Sequence, residues 1–357
     1  MKNVLPPQVQ KKLPVMVVPA RIKAARFAGD DYGVTDSPDW RGIDWTQHLH
    51  RIEIFGTEVN YVDIGEAGGN RPEGDRPIVF VHGLGGQWQN WLENVPRFSQ
   101  SRRVVAVDLP GFGLSDMPDE KITIEFYGRV LAELCERLDL IPAVLVGNSM
   151  GGYVAAELAI QQPEHVERLM LLAAAGVSQM DVAKRPIIAA AKAAGLVITT
   201  NAAHQEWIAH RPGLRHAVLA VVARHPSRLA ADMCFEGLLK GAAKAGFETA
   251  LRACLEYDLR ERLPQIGCPV LVVWGEKDAI IPVRDADKFV ELIDGARKVV
   301  MEDTGHVPMV ERPPTFNDLL EEFLSHEVVE DELEGRLDHA RSSPTGDYKR
   351  SKEHETA

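Results

Sequence analysis

Six short apolar runs between residues 77 and 306 constrain this chain more than any other feature. They are PIVFVHG (77–83), RRVVAVDLPG (102–111), AVLVGNS (143–149), ERLMLLAAAG (167–176), CPVLVVWGEKD (268–278) and ARKVVMEDTGH (296–306). Continuous rather than alternating apolarity suits strands covered on both faces. Helical spacing lies between them. Ile124, Tyr127, Val130, Leu131, Leu134 and Leu138 mark one helix over 123–139, and GGYVAAELAIQQP marks another that stops before Pro163. Residues 283–293 and 315–324 read as two more. Strand, crossover helix and strand in repetition predict an α/β fold, a mostly parallel sheet with helices on both faces. A hairpin, HRIEIFG and TEVNYVDIG, broken at Gly56-Thr57, opens it. Sheets of this kind place their sites beyond the carboxyl ends of the strands. His82, Asp108, Ser149, Asp278 and His306 fall there.

The chain has 357 residues, enough for two domains or for one with a large insertion. Residues 178–262 are rich in Ala, Leu and Arg and show no strand pattern. They read as several helices inserted at the carboxyl edge of the sheet, a cap over the site. The expected organisation is an N-terminal basic extension (1–45), a first core part (46–177), the helical cap (178–262), a second core part (263–325) and a charged tail (326–357). The loop at 65–77 is turn-rich and reads as exposed. Residues 1–26 carry six bases and no acid, and Pro6, Pro7, Pro14 and Pro19 interrupt every apolar run, so a secretory signal is not expected. An arm lying on an acidic body is the simpler reading; weak contact with an anionic membrane surface is the alternative. The tail holds nine acids and five bases with few large apolar side chains, and is expected to be disordered.

A formal charge of −12 disfavours nucleic acid as a partner. No run of about 18 apolar residues suggests a membrane span. Cys135, Cys234, Cys254 and Cys268 form no CxxC pair and no zinc spacing, so a reduced, cytoplasmic protein is expected. His204, His210, His216 and His225 are 6, 6 and 9 residues apart, off the i, i+4 spacing of helical metal ligands. Neither metal nor cofactor is expected. The sequence leaves the oligomeric state open.

VLVGNSMGG contains G-x-S-x-G at Gly147, Ser149 and Gly151, directly after a strand and opening a helix. That context is a nucleophile elbow, a tight turn that exposes the serine oxygen. Serine needs a general base, and the base an orienting acid. In chain order Ser, acid, His, the candidates are Ser149, Asp278 in WGEKDAIIP and His306 in DTGHVPMVERP, with Asp303 the rival acid. The expected oxyanion donors are the N–H groups of Met150 and Leu84, with Gly85 as the fallback. Gly83, Gly85, Asn148, Trp88 and Trp207 are candidate pocket residues, although Trp88 and Trp91 read first as packing under the oxyanion loop. Asp108 reads as a brace for its strand-end loop.

HGLGG, DLPGFGLSD, GNSMGG, WGEKDAIIP and DTGHVPMVERP, in this order, resemble the α/β-hydrolase superfamily over about residues 50–325. The resemblance implies an eight-stranded, mostly parallel sheet with a helical cap, and a serine hydrolase. The elbow serine sets aside dehalogenases and soluble epoxide hydrolases of this fold, which carry aspartate there. The GNSMGG elbow is similar to that of C–C hydrolases acting on aromatic meta-cleavage products. Those enzymes typically place tryptophan directly after the histidine, whereas Val307 and Pro308 follow His306 here.

The expected activity is hydrolysis of a small or medium apolar carboxylic ester. Trp207, Ile208, Leu214, Met233, Phe235 and Leu238 of the cap are expected to form the pocket wall. The alternatives are C–C hydrolysis, with Arg211 and Arg215 holding an acidic dienoate, a cofactor-free haloperoxidase, and a ligand-binding protein that keeps the fold without turnover.

Overall fold

A computed structural model describes residues 29–65, 76–178, 202–240 and 245–325. The readings of residues 1–26, of most of the 65–77 loop, of part of the cap and of the 326–357 tail lie outside these residues.

Eight strands form one sheet in the order β1-β2-β4-β3-β5-β6-β7-β8. They are β1 (Leu49–Ile54), β2 (Thr57–Ile64), β3 (Ile78–Val81), β4 (Val104–Val107), β5 (Ala143–Asn148), β6 (Val166–Leu172), β7 (Val270–Gly275) and β8 (Arg297–Met301). β2 runs antiparallel to β1 and β4, and every other pairing is parallel. The hairpin turns at Phe55-Gly56, one residue before the expected break. Both residues have positive φ (48° and 73°), the geometry of a two-residue turn that matches strand twist.

The continuous apolar runs follow from covering the sheet on both sides. On β3, Ile78 and Phe80 join one core with Trp91, Phe98, Phe316 and Phe323, while Val79 and Val81 join the other with Leu131, Tyr153 and Phe289. Each such side chain contributes roughly 1.5–3 kcal/mol by leaving water. Trp91 stacks on Phe80 with ring centroids 4.7 Å apart, so this tryptophan packs on the sheet face. Helix Ile124–Arg137 begins at Thr123, whose hydroxyl accepts the Phe126 N–H. β8 is an edge strand, and its exposed Arg297 and Lys298 discourage further pairing.

Between β6 and β7 the described residues of the expected cap form helices Ala202–Ala209, Pro212–Leu219 and Phe247–Glu256 and shorter turns, with no strand among them. No described helix is long and apolar enough to cross a membrane. All four cysteines are buried and none is in a disulfide.

Candidate active site

β5 ends at Asn148, and helix Met150–Gln161 begins two residues later. Ser149 sits between them at φ 54°, ψ −117°, a strained backbone for a residue with a Cβ. Sterics explain the flanking glycines. A Cβ on Gly147 would overlap the Gly151 carbonyl, and one on Gly151 would overlap the Val81 carbonyl. Ser149 donates its N–H to the Leu172 carbonyl (2.9 Å), and its own carbonyl accepts from Tyr153 and Ala175. The turn is thus pinned to β6 and to its own helix.

His306 and Asp278, 28 residues apart, meet in the fold. His306 Nδ1 lies 2.7 Å from Asp278 Oδ2. A carboxylate only accepts, so Nδ1 carries a proton, which in the neutral ring leaves Nε2 the nitrogen with the free lone pair. The Asp278 side chain is shielded from solvent, and its Oδ1 accepts the N–H groups of Ile280 (2.8 Å) and Ile281 (3.0 Å). The rival acid serves another histidine: Asp303 takes His225 Nε2 at 2.7 Å and Arg224 Nε at 3.0 Å, both from the cap.

Three further groups hold the site. His82 is fully buried. Its Nε2 accepts the Leu109 N–H (3.0 Å), so its Nδ1 donates to the Gly83 carbonyl (2.7 Å), and burial pushes its pKa down to about 4. A neutral ring thus anchors the loop that carries Leu84. Asp108 accepts from the N–H groups of Trp88 and Leu114 and from Asn60, bracing two loops. Asn148 donates to the carbonyls of Leu172 and His306, both at 3.1 Å.

Glu311 was not singled out by the sequence reading. It is fully buried and accepts the N–H groups of Gly305 (2.9 Å) and Val307 (3.2 Å), which flank His306. Its signal in the sequence is a lone acid in the apolar stretch HVPMVE, just after the histidine.

A cavity of about 480 Å³ opens beside Ser149. Its described lining is Leu84, Ser149, Met150, Ala175, Ser178, Leu251, Cys254, Leu255, Ile280, Ile281, Pro282, Arg284 and Lys288. Leu84 and Met150 are therefore beside the serine, where oxyanion donors would have to be. Burial pushes the Cys254 thiol up to about 12, so it stays un-ionised there.

The expected pocket residues divide. Gly83 faces the serine, since a Cβ on it would lie 3.1 Å from the Ser149 Cβ, and Asn148 directly precedes the serine. Trp88 is buried and packs beside Trp45. Trp207 is 47% exposed, beneath the Arg211 guanidinium. Ile208 and Met233 are buried in a core cluster, with Leu214, Phe235 and Leu238 packed against it. The described cap wall comes instead from helix Phe247–Glu256, whose buried face turns Leu251, Cys254 and Leu255 toward the serine. Arg215 is spent inside the cap on the carbonyls of Ala209 and Ser227, and Arg211 on that of Trp207.

Comparison with known proteins places the chain in a family. Residues 78–319 match the model of the alpha/beta hydrolase family. The dihydrolipoyllysine-residue acetyltransferase component of the acetoin cleaving system from Pseudomonas putida is 32% identical over 283 residues, 77% of this chain and 68% of the relative. The 2-hydroxymuconate semialdehyde hydrolase of Pseudomonas sp. strain CF600 is 31% identical over 268 residues, covering 70% and 87%. The crystal structure of the enol-lactonase from Burkholderia xenovorans LB400 superposes with a TM-score of 0.63 at 26% identity, covering 78% of this chain and all of that one. The chain belongs to the alpha/beta hydrolase family and is a hydrolase.

Proposed function

We propose that this protein is a serine hydrolase that cleaves a small or medium apolar carboxylic ester through an acyl-enzyme. The observation that carries the reading is the 2.7 Å His306–Asp278 pair, set with the strained Ser149 turn at the carboxyl end of one sheet. In this mechanism Ser149 Oγ attacks the acyl carbon while His306 Nε2 takes its proton. Asp278 keeps the imidazole in the tautomer that allows this and stabilises the imidazolium. The Met150 and Leu84 N–H groups receive the oxyanion. The alcohol leaves with the proton from His306, and water, activated by the same imidazole, releases the acid.

The mostly apolar lining supports the ester assignment, as does likeness to an enol-lactonase, since a lactone is a cyclic ester. Each buried methylene contributes about 0.8 kcal/mol, so kcat/KM should rise with acyl length until the cavity is full. The second reading is C–C hydrolysis of an acidic meta-cleavage product. It is favoured by Arg284 and Lys288 in the lining, which take the place expected for Arg211 and Arg215.

The test compares p-nitrophenyl butyrate, p-nitrophenyl octanoate and an aromatic meta-cleavage product with the native protein and with Ser149→Ala. Ester turnover and phosphonate labelling are expected in the native protein, and neither in the variant. Unchanged hydrolysis by Ser149→Ala would refute the mechanism. Rapid turnover of the meta-cleavage product with negligible ester hydrolysis would install the second reading.

A further inference from the structure

Glu311 does more than hold the histidine loop, because its carboxylate also gathers donors from two other parts of the chain. Besides Gly305 and Val307, it accepts the Arg224 N–H of the cap (2.7 Å) and the Tyr32 hydroxyl (2.6 Å). The same Tyr32 oxygen accepts the His225 N–H (2.7 Å). His306 donates its own backbone N–H to the Val222 carbonyl (2.9 Å). Cap residues 222–225 therefore run along the loop 303–307, tied to it through Val222, Glu311 and Asp303, and the phenolic hydroxyl adds a bridge from the Glu311 carboxylate to the His225 N–H.

Tyr32 belongs to a segment that precedes the sheet and lies ahead of the family-matched region. That segment is fastened along its length. The Gly33 N–H donates to the Glu311 carbonyl (2.7 Å), Asp36 accepts from Asn317 (2.8 Å) and Arg97 (3.0 Å), and Trp40 Nε1 donates to Glu93 (3.0 Å). At its far end Arg41 reaches the cap through Asp232, at 2.5 and 2.8 Å. The tyrosine ring is buried, edge-on to His225. The arrangement is a strap from the core to the cap, with the hydroxyl delivered to the buried carboxylate.

We propose that Tyr32 is a positioning residue for His306. Acting through Glu311 and the cap backbone at 224–225, its hydroxyl fixes the loop that aims the imidazole. The inference rests on the reading of His306 as the base. The Glu311 carboxylate without this donor keeps three backbone N–H groups but loses its own tie to the strap, leaving only the Gly33 N–H on the Glu311 main-chain carbonyl. His225 then keeps a buried N–H with no acceptor, and residues 224–225 shift against the loop to satisfy it while the Glu311 and Asp303 contacts keep them attached. Displacements well below 1 Å at a base are enough to slow proton transfer, and about 1 Å can cost 10²-fold.

The test is Tyr32→Phe, which keeps the ring and deletes the oxygen, assayed per phosphonate-titrated site well below its melting temperature. The expected result is a kcat about ten-fold lower with KM within about two-fold, and a phosphonylation rate lowered by the same factor. A purely structural role would lower Tm or the titratable fraction and leave both rates per site unchanged, which overturns the proposal. Glu311→Gln should give a similar rate defect, and Tyr32→Phe added to it little further loss, because both act through one contact. Additive losses would show that Tyr32 acts by another route and overturn the coupling. If Ser149→Ala retains activity, the base reading falls and this inference with it. If Ser149→Ala is dead and Tyr32→Phe turns over normally, only the positioning role fails.

Discussion

Ser149 and His306 meet at one end of the sheet but are held there differently. Ser149 is fixed largely by its immediate neighbours: two glycines that let strand and helix close up, a helix that starts at the next residue, and one N–H bond to β6. His306 is fixed by groups far away in the chain. Asp278 orients its ring, Val222 takes its N–H, Asn148 holds its carbonyl, and Glu311 secures both flanking residues. The first device is rigid because it is covalently short. The second is rigid only while the cap, the last strands and the N-terminal segment are all docked. Perturbations of the residues packed on loop 303–307 should therefore be felt at His306 before they are felt at Ser149.

The strongest way to break this comparison is to exchange the two acids near His306. Asp278→Asn should lower kcat by about 10⁴, because the amide favours the wrong imidazole tautomer. Asp303→Asn, which disturbs only the cap contact with His225 and Arg224, should cost far less. Steady-state kinetics on the two purified variants decides it, and the reverse ranking would make Asp303 the orienting acid.

Acid titration probes the serine side. His82 has its pKa held at about 4 by burial, against an ordinary 6.5. The unfolded chain therefore takes up this proton first. The stability associated with the neutral ring is complete above pH 6.5 and is lost as pH falls from there toward 4, about 3 kcal/mol in all. Urea unfolding at pH 7 and pH 4 should show that difference shrinking by this amount in His82→Asn. An unchanged difference would mean the ring is not the titrating group.

Asn148 connects the two devices, so its removal sharpens the contrast with the smallest effect. Asn148→Ala leaves the Leu172 and His306 carbonyls without this donor, a cost of about 1–3 kcal/mol in stability. A several-fold fall in kcat with KM nearly unchanged should accompany it, read from denaturant melts and steady-state rates. A loss confined to stability would show that Asn148 braces the sheet edge without aiming the base.

Legibility in the sequence follows the same division. The strands were readable because burial on both faces leaves uninterrupted apolar runs, and the elbow was readable because its backbone strain demands particular small residues at fixed short spacing. Asp278 and His306 were readable as polar stops at strand ends. Pattern could not pick the described cavity wall, Leu251, Cys254 and Leu255, over Trp207 and its neighbours, because an apolar residue in a helix-rich insertion fits a pocket or a core equally well. Tyr32 had no signal at all, since one tyrosine in a loop says nothing about a carboxylate 279 positions away.

By itself, then, the order of residues determined whatever rests on local sterics and periodic burial: the parallel sheet, the strained serine turn and the strand-end positions of an acid and a histidine. Only the tertiary structure decided which acid faces His306, which helix walls the cavity and what holds the histidine loop. Those choices depend on hydrogen bonds between groups brought together by burial, and a buried polar group can find its partner at any separation along the chain.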